Sequence, residues 1–195
     1  MTASEILGAM SSDQIVRKPL RAHERSSRTL DQRLSLRFPR LAAANARVIG
    51  KLPPGSRLRQ AALRRAAQLS LQAYNRRDLD AVVIDWHPEF QYLPGRAWVD
   101  AALVEPCYRG LAGYRKYIAS VDEVWGGENY LKPLELIDLG ERIVILADGS
   151  MRGQASGVPL AEAFASVATL KDGRLVRQQE YYDHAEALEA VGLSA

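Results

Sequence analysis

The fold is decided by one long stretch, residues 131–182, which read LKPLELIDLGERIVILADGSMRGQASGVPLAEAFASVATLKDGRLVRQQEYY. Apolar and polar residues alternate along it with a period of two, as in strands that bury one face. Short hairpin turns are supplied by Gly140-Glu141 and Asp172-Gly173. We therefore predict an antiparallel meander of four successive strands, at 131–139, 142–154, 162–170 and 174–182.

Helices flank this meander. Ser56 can cap a helix that runs to about residue 75, because apolar residues recur behind it at spacings of three and four. The other elements are predicted from caps and glycine stops: a short helix at 78–85, a strand from Phe90, a helix at 110–125 and a last short helix from Asp183. Helices grouped around an antiparallel sheet give an α+β arrangement, in which they cover one face of the sheet.

The first 55 residues differ from the rest. Residues 1–28 are polar and basic and predict irregular chain. The sequence at 29–32 has the form of a capping box and predicts a helix, and Pro39, which a first turn accepts, predicts a second helix to about residue 51. Pro53-Pro54-Gly55 predicts a firm break. We therefore divide the chain into a basic, partly helical N-terminal extension, residues 1–55, and a domain at 56–195.

The composition is that of an ordinary globular protein, with 47% hydrophobic and 25% charged residues. The single cysteine, Cys107, excludes an intramolecular disulfide and a cysteine-based zinc site, and it suits a reducing cytoplasm. Residues 1–10 lack a signal-peptide pattern, and the longest strongly apolar run, 143–147, is far shorter than the ~20 residues of a membrane helix. We predict a cytoplasmic protein with no membrane partner.

Charge is distributed unevenly along the chain. Residues 1–65 carry 14 Lys and Arg against 4 Asp and Glu, a net charge of +10, whereas residues 66–195 carry 12 against 19, a net charge of −7. Nucleic acid or another anionic surface would bind such a basic arm through phosphate contacts. Alternatively, the arginines form solvated helix faces, or pair with the acidic domain or with a second subunit. We favour these alternatives, because arginines at helical spacing need no partner.

Short motifs follow one another in a fixed order along residues 57–190. They are AYNRRDLDA at 73–81, HPEF at 87–90, YRG at 108–110 with Gly113, LIDLGERIV at 136–144, SGV at 156–158 and LKDGRLVR at 170–177. In this order they resemble SnoaL-like domains of the nuclear-transport-factor-2-like superfamily. The resemblance implies a cone-shaped curved antiparallel sheet with three helices enclosing a pocket, the cystatin-like α+β roll. The basic extension lies outside it.

What the resemblance implies about function is broad. The superfamily includes ketosteroid isomerase, scytalone dehydratase, limonene epoxide hydrolase and polyketide cyclases, as well as transport adaptors and many proteins of no known activity. It implies a small apolar ligand, such as a polyketide-like or terpenoid-like molecule, and no cofactor. The paired tyrosine and aspartic acids of the isomerase, and the two histidines of the dehydratase, have no matching positions here, so neither activity is assigned.

The residues that face the pocket depend on the turn at 171–173. We expect a three-residue turn with a bulge, Gly173 taking the left-handed position, which pairs Ala168 with Val176. The inward face then carries Phe164, Ser166 and Ala168 on one strand and Val176, Gln178, Glu180 and Tyr182 on the next. A slip of one residue would invert this set.

Glu180 is the first candidate for a reacting group, because burial in an apolar wall raises the pKa of a carboxyl and suits it to general acid or base catalysis. A buried ion pair or a solvated sheet end would explain it equally. His87 is the second candidate, although a histidine at a helix end also acts as a cap. Asp85, close to it, is the third. The remaining candidates are ligand-binding aromatics at the mouth, which are also ordinary core residues: Tyr92, Trp98, Tyr108 and Tyr114.

Other site types find no support in the sequence. Three scattered histidines give no metal-ligand spacing, and neither a phosphate-binding glycine loop nor a nucleophile elbow is present. Two hypotheses follow. In the first, the protein binds a small, largely apolar molecule in the pocket and acts as a cofactor-independent isomerase, cyclase or hydrolase. In the second, it is a non-catalytic module that forms a homodimer through the outer sheet face and docks a partner through its basic arm.

Overall fold

The computed structural model describes residues 15–21, 27–125, 129–152 and 159–194. These residues form the expected α+β fold, one sheet with helices against it. The strands are β1 (Val16–Pro19), β2 (Trp86–Leu93), β3 (Tyr108–Arg109), β4 (Tyr130–Asp138), β5 (Arg142–Arg152), β6 (Pro159–Lys171) and β7 (Arg174–Tyr181). The helices are α1 (Leu30–Arg37), α2 (Pro39–Gly50), α3 (Arg57–Asn75), α4 (Leu79–Val82), α5 (Arg96–Asp100), α6 (Gly110–Trp125) and α7 (His184–Glu189). None of these helices is long and apolar enough to cross a membrane.

The sheet has the strand order β1-β4-β5-β6-β7-β2-β3. Its neighbours are antiparallel except β2 and β7, which run parallel. The predicted meander is confirmed as β4 to β7, and β5 pairs with β6 along its whole length. The alternation of period two is therefore sufficient to define the centre of the sheet.

The turn between β6 and β7 differs from the expected one. Lys171 pairs with Arg174, so the loop has two residues, and both of them have positive φ angles, 51° at Asp172 and 72° at Gly173. A two-residue turn of this kind matches the twist of the flanking strands. The bulge lies further along, beyond Leu175, and Ala168 pairs with Gln178 instead of Val176.

This two-residue change of register leaves most of the predicted inward face intact, because side chains on a strand alternate with a period of two. Ser166 lies opposite Glu180 as the predicted face requires. Near the turn the prediction is wrong, since Leu175 is buried and lines the cavity described below in place of Val176.

Helix α6 packs against β2 through an aromatic cluster. The rings of Trp86 and Phe90 meet edge to face at 4.7 Å, and those of Tyr92 and Tyr114 lie 4.8 Å apart. β2 begins at Trp86, four residues earlier than expected, and α4 ends at Val82. As a result, His87 lies within a strand and not at a helix end.

The N-terminal region contains more structure than the sequence indicates. Val16–Pro19, expected to be irregular, forms the antiparallel edge strand β1 on β4. The capping box at Thr29 is confirmed, its hydroxyl accepting from the backbone N–H of Gln32. Gln32 is buried and donates to the Leu69 carbonyl at 3.3 Å, while Arg28 makes two hydrogen bonds of 2.7 Å with Asp78. The extension is thus attached to the domain at both helix α3 and the turn that follows it.

Helix α2 crosses the β6–β7 turn in backbone contact. A Cβ atom built on Gly173 would lie 1.8 Å from the carbonyl oxygen of Ala46, and one built on Gly50 would lie 2.5 Å from the Cα of Gly173. Only glycines allow this approach, and Gly173 also needs its positive φ. The extension therefore covers the end of the fold at which this hairpin turns. The domain boundary at Pro53-Pro54-Gly55 stays a prediction.

Candidate functional site

A cavity of about 310 Å³ lies between the sheet and the helices. Its walls come from β5, β6 and β7 on one side and from α1, α2 and α3 on the other. Most of the lining is apolar, and it includes Ile49, Leu63, Ile143, Ile145, Leu170 and Leu175. This volume suits a small organic molecule.

Glu180 lies in the wall of this cavity with 3% of its surface exposed. Its carboxylate accepts hydrogen bonds from tyrosine hydroxyls on three elements of the fold. Tyr92 on β2 donates to Oε1, Tyr117 on α6 donates to Oε2 at 2.7 Å, and Tyr182 after β7 donates to Oε2 at 3.3 Å. We call these four residues the tyrosine–glutamate cluster.

Burial determines the electrostatics of this cluster. Loss of solvation raises the pKa of Glu180 from 4.5 to about 7, although the three phenol hydrogen bonds oppose the change by stabilising the carboxylate. Burial and the nearby glutamate charge also raise the pKa values of Tyr92, Tyr117 and Tyr182. At neutral pH the phenols therefore remain protonated donors, while Glu180 exists in both its acid and its base form.

A second buried carboxylate, Asp138 at the end of β4, has different partners. Arg59 of α3 forms a bidentate ion pair with it, at 2.7 and 2.9 Å, and Gln60 donates to it at 2.9 Å. Arg59 also donates to the carbonyl oxygens of Gly50 and Leu52, at 3.0 and 3.2 Å. This pair connects α3, the end of α2 and the β4–β5 hairpin.

Most of the predicted site residues line the same cavity. The main cavity is lined by Glu180, Asp85, Tyr92, Tyr114, Phe164, Ser166 and Gln178. Trp98 and Tyr182 line a smaller cavity of about 20 Å³, which Glu180 also borders, so these two residues lie next to the cluster and not in the main cavity.

The structure does not bring the other two candidates to the cavity. His87 is exposed, and its Nδ1 accepts a hydrogen bond from the backbone N–H of Glu89 at 3.2 Å. Tyr108 is a core residue, its hydroxyl accepting from the backbone N–H of Glu105 at 2.8 Å. We therefore remove both from the candidate site. The reason for His87 is the early start of β2, in which the three residues after Trp86, 87–89, are exposed.

Asp85 lines the cavity far from Glu180. Its neighbour Trp86 pairs with Leu175, and Glu180 lies five positions after Leu175 along β7, a distance of about 16 Å at the usual rise of a strand. Burial raises the pKa of Asp85, and the positive charge of Arg174 opposes this change. The two acids therefore lie at different ends of the cavity and do not act on one atom.

Comparisons with known proteins identify the fold. No protein-family model matches the chain, and no curated protein matches it. Solved structures do. A nuclear-transport-factor-2-like protein of unknown function from Burkholderia pseudomallei is 25% identical, with a TM-score of 0.55 over 66% of this chain and 95% of that one. The chain therefore has a SnoaL-like fold of the nuclear-transport-factor-2-like superfamily.

Two further structures share the SnoaL-like fold. TerC, co-crystallised with polyporic acid, is 24% identical, with a TM-score of 0.55 over 65% of this chain and 95% of that chain. A SnoaL-like protein of unknown function from Burkholderia thailandensis is 18% identical, with a TM-score of 0.50 over 64% of this chain and 97% of that chain. Each match includes nearly all of the other protein but leaves about a third of this chain outside.

Sequence reasoning misses two residues of the SnoaL-like cavity region, Tyr117 and Asn129. Tyr117 lies three residues after Tyr114 on α6, so helical periodicity would have placed it on the same inward side. Asn129 is buried, and among the described residues neither its side-chain oxygen nor its nitrogen has a hydrogen-bond partner. It lines the small cavity beside Glu180. A polar residue two positions after a glycine pair gives no signal in the sequence that it lies beside the cavity.

Proposed function

We propose that the cavity binds a small, largely apolar molecule and that Glu180 transfers a proton to or from it. The observation that carries this proposal is a carboxyl buried in the wall of an apolar cavity with three neutral phenols as its hydrogen-bond donors. Burial raises its pKa to about 7. A general acid or base works best when its pKa lies near the ambient pH. The proposal requires no cofactor and assigns the protein to cofactor-independent isomerases or cyclases.

The proposed step is a proton transfer at carbon. The Glu180 carboxylate removes a proton from a carbon next to a ligand carbonyl, and the electron pair of the C–H bond moves into the enolate. The protonated carboxyl then returns the proton to another carbon. Alternatively, the enolate carbon closes a ring by attacking a second carbonyl, whose oxygen receives the electron pair of the C=O bond and takes the proton from Glu180. The phenols of Tyr92 and Tyr117 stabilise the ionised form of Glu180 and so adjust its basicity.

The ligand class follows from the lining. Aliphatic and aromatic side chains dominate the cavity, and the polar groups of Ser166 and Gln178 lie on the same face as Glu180. Flat polyketide-like or terpenoid-like compounds with a ketone match this distribution of apolar surface and few polar contacts.

A second candidate reaction is hydrolysis, which the unpartnered amide of Asn129 favours. The small cavity of about 20 Å³ beside Glu180 holds space for one water molecule, and such a site needs two to four polar partners. Asn129 and Glu180 would supply them. In this reaction Glu180 takes a proton from the water, whose oxygen attacks an electrophilic carbon of the ligand. The bond from that carbon to the leaving oxygen breaks, and the leaving oxygen takes the proton from Glu180.

Hydrogen–deuterium exchange tests the proposal without knowledge of the natural substrate. We expect the protein to accelerate exchange of the α-protons of 2-tetralone in D2O, with a rate that rises with pH through about 7. Glu180→Gln should retain binding, measured by quenching of tryptophan fluorescence, and lose about 100-fold or more of the exchange rate. The control variant is Tyr108→Phe, which alters a core phenol outside the cluster.

Two results would contradict the proposal. Equal exchange rates for the wild type and Glu180→Gln would exclude Glu180 as the base. An unchanged melting temperature with every member of a library of polyketide-like and terpenoid-like compounds, polyporic acid included, would count against the ligand site itself.

The non-catalytic homodimer also stays a prediction. Light scattering coupled to size-exclusion chromatography would measure the oligomeric state directly.

A further inference from the structure

Large exposed apolar side chains are concentrated in the N-terminal extension and the start of α3. Of the seven in the described residues, six lie between residues 30 and 58. Their exposed fractions are 73% for Leu30, 68% for Leu41, 62% for Val48, 61% for Leu58, and 49% for both Leu34 and Phe38. The seventh, Leu103 at 43%, lies elsewhere in the sequence. Single exposed apolar residues are normal, but six within 29 residues indicate an interaction surface.

The spacing of these residues gives each helix two faces. Leu30 and Leu34 are one turn apart on α1, and Leu41 and Val48 are two turns apart on α2, so each pair shares one side of its helix. The other sides face inward. Gln32 of α1 is buried, and Ala46 and Ile49 of α2 line the main cavity.

Basic side chains are interleaved with the exposed apolar ones. They are Arg33, Arg37, Arg40, Arg47, Lys51 and Arg57, all exposed, and none of them forms an ion pair within the part of the chain that the structure describes. The one acidic side chain among residues 27–58, Asp31, is paired with Arg65 at 3.0 Å. We call the six apolar and six basic side chains together the basic apolar face.

Although the sequence predicts no membrane partner, we propose that the basic apolar face docks the protein on an anionic phospholipid surface. Helices that present leucine and phenylalanine together with arginine bind in the plane of such surfaces, the apolar side chains entering the headgroup region and the cations meeting lipid phosphates. A second copy of the same face would bring like charges together. Nucleic acid would use the arginines for phosphate contacts but gives the exposed leucines no apolar environment.

Docking through the basic apolar face would place the cover of the cavity next to the phospholipid surface. The outer side of α2 belongs to the basic apolar face, and its inner side covers the cavity through Ala46 and Ile49. An apolar ligand dissolved in the bilayer would therefore meet the cover of the cavity directly. Ligand entry from the bilayer rests on the proposed ligand site, whereas docking on the phospholipid surface does not.

Co-sedimentation with vesicles tests the docking. We expect the full chain to sediment with vesicles of phosphatidylglycerol and phosphatidylcholine about tenfold more strongly than with phosphatidylcholine alone, and to be released as the salt concentration rises. The double variant Leu34→Glu, Leu41→Glu should lose this binding. Both sites are exposed, so the variant should retain the far-ultraviolet circular dichroism of the wild type. Leu103→Glu is the matched control and should bind as the wild type does.

Several results would overturn the docking. Equal sedimentation with neutral and anionic vesicles, no sedimentation with either, or full binding by the Leu34→Glu, Leu41→Glu variant would each do so. Salt-dependent binding of duplex DNA without vesicle binding would assign the face to nucleic acid. A dimer that dissociates in the double variant, again without vesicle binding, would assign it to a second copy. The proton-exchange assay with 2-tetralone is independent of all these outcomes.

Discussion

Among the described residues, two carboxylates are fully or almost fully buried, and their environments differ. Asp138 is fully buried and pairs with a cation, Arg59, in a bidentate arrangement completed by Gln60. Glu180 is 3% exposed and accepts its hydrogen bonds from neutral phenols. Both groups are hydrogen-bonded, but within the part of the chain that the structure describes only Asp138 has a salt-bridge partner.

This difference separates a structural role from a chemical one. A cation at hydrogen-bond distance forms an ion pair with the carboxylate and fixes the elements that carry the two partners. Neutral donors compensate the loss of solvation only in part, which leaves Glu180 with a pKa of about 7. The carboxylate with the stronger partners connects the helices, and the one with the weaker partners is able to exchange protons.

The largest expected effect follows from breaking the ion pair. Arg59→Met should lower the free energy of unfolding by about 3–5 kcal/mol, because it leaves the Asp138 charge buried without its partner. The double variant Arg59→Met, Asp138→Leu should recover a large part of this loss. Urea denaturation followed by circular dichroism measures both. A loss below about 1 kcal/mol in the single variant would contradict a structural role for the pair.

The second-largest expected effect is a dependence of the unfolding free energy on pH that is caused by Glu180. Its pKa is raised on folding, from 4.5 to about 7, so the folded state binds the proton more tightly than the unfolded state does. The free energy of unfolding should therefore fall as pH rises between these two values, by up to about 3 kcal/mol. Glu180→Gln removes this dependence. Urea midpoints at pH 5 and pH 8 should differ more for the wild type than for the variant. If the stability of both proteins depends on pH in the same way, the pKa of Glu180 is not raised on folding.

A smaller effect is expected inside the tyrosine–glutamate cluster. Tyr117→Phe removes the 2.7 Å hydrogen bond to Oε2, which stabilises the ionised form, so the pKa of Glu180 should rise further. The cost in unfolding free energy should be about 1 kcal/mol. Tyr108→Phe removes the hydroxyl of a tyrosine that is as buried as Tyr117 but lies outside the cluster. It should leave the titration of Glu180 unchanged. If both variants shift that titration equally, the hydrogen bond is not its cause.

The smallest effect concerns Asp85, a partly buried carboxylate in the same cavity. Burial raises its pKa, so its ionisation weakens the folded state as pH rises above the value of the unfolded chain. Asp85→Asn should therefore raise the free energy of unfolding at neutral pH, by less than about 1 kcal/mol, and should have no such effect at pH 3. A clear loss of stability at neutral pH would show that this carboxylate has a partner resembling that of Asp138.

Much of the fold could be predicted from the sequence because it depends on local patterns. The alternation of residues 131–182 defines β4 to β7, and the inward face containing Ser166, Gln178 and Glu180 is correct even though the turn is not. A two-residue change of register preserves the face of every side chain beyond the bulge. Leu175 lies between the bulge and the turn, and there the prediction fails.

The chemistry of the site could be predicted only in part, since it depends on distant pairs. Glu180 meets Tyr117 across 63 residues, and Arg59 meets Asp138 across 79. No local pattern encodes either contact. The extension misleads for a different reason: Leu30 and Leu41 point outward while Gln32 is buried, which reverses the usual distribution of apolar and polar residues. Contact with a partner surface would explain why these apolar side chains are exposed, and the sequence of one chain gives no information about such a partner.

The titration of Glu180 tests the central claim most directly. Carbon-13 nuclear magnetic resonance of the glutamate carboxyl carbons follows it, and the resonance absent from Glu180→Gln identifies the residue. We predict a midpoint at about pH 7, and a higher one in Tyr117→Phe. A midpoint at or below 4.5, the ordinary value for glutamate, would mean that the cluster holds a permanently ionised carboxylate and would contradict the proposed proton transfer.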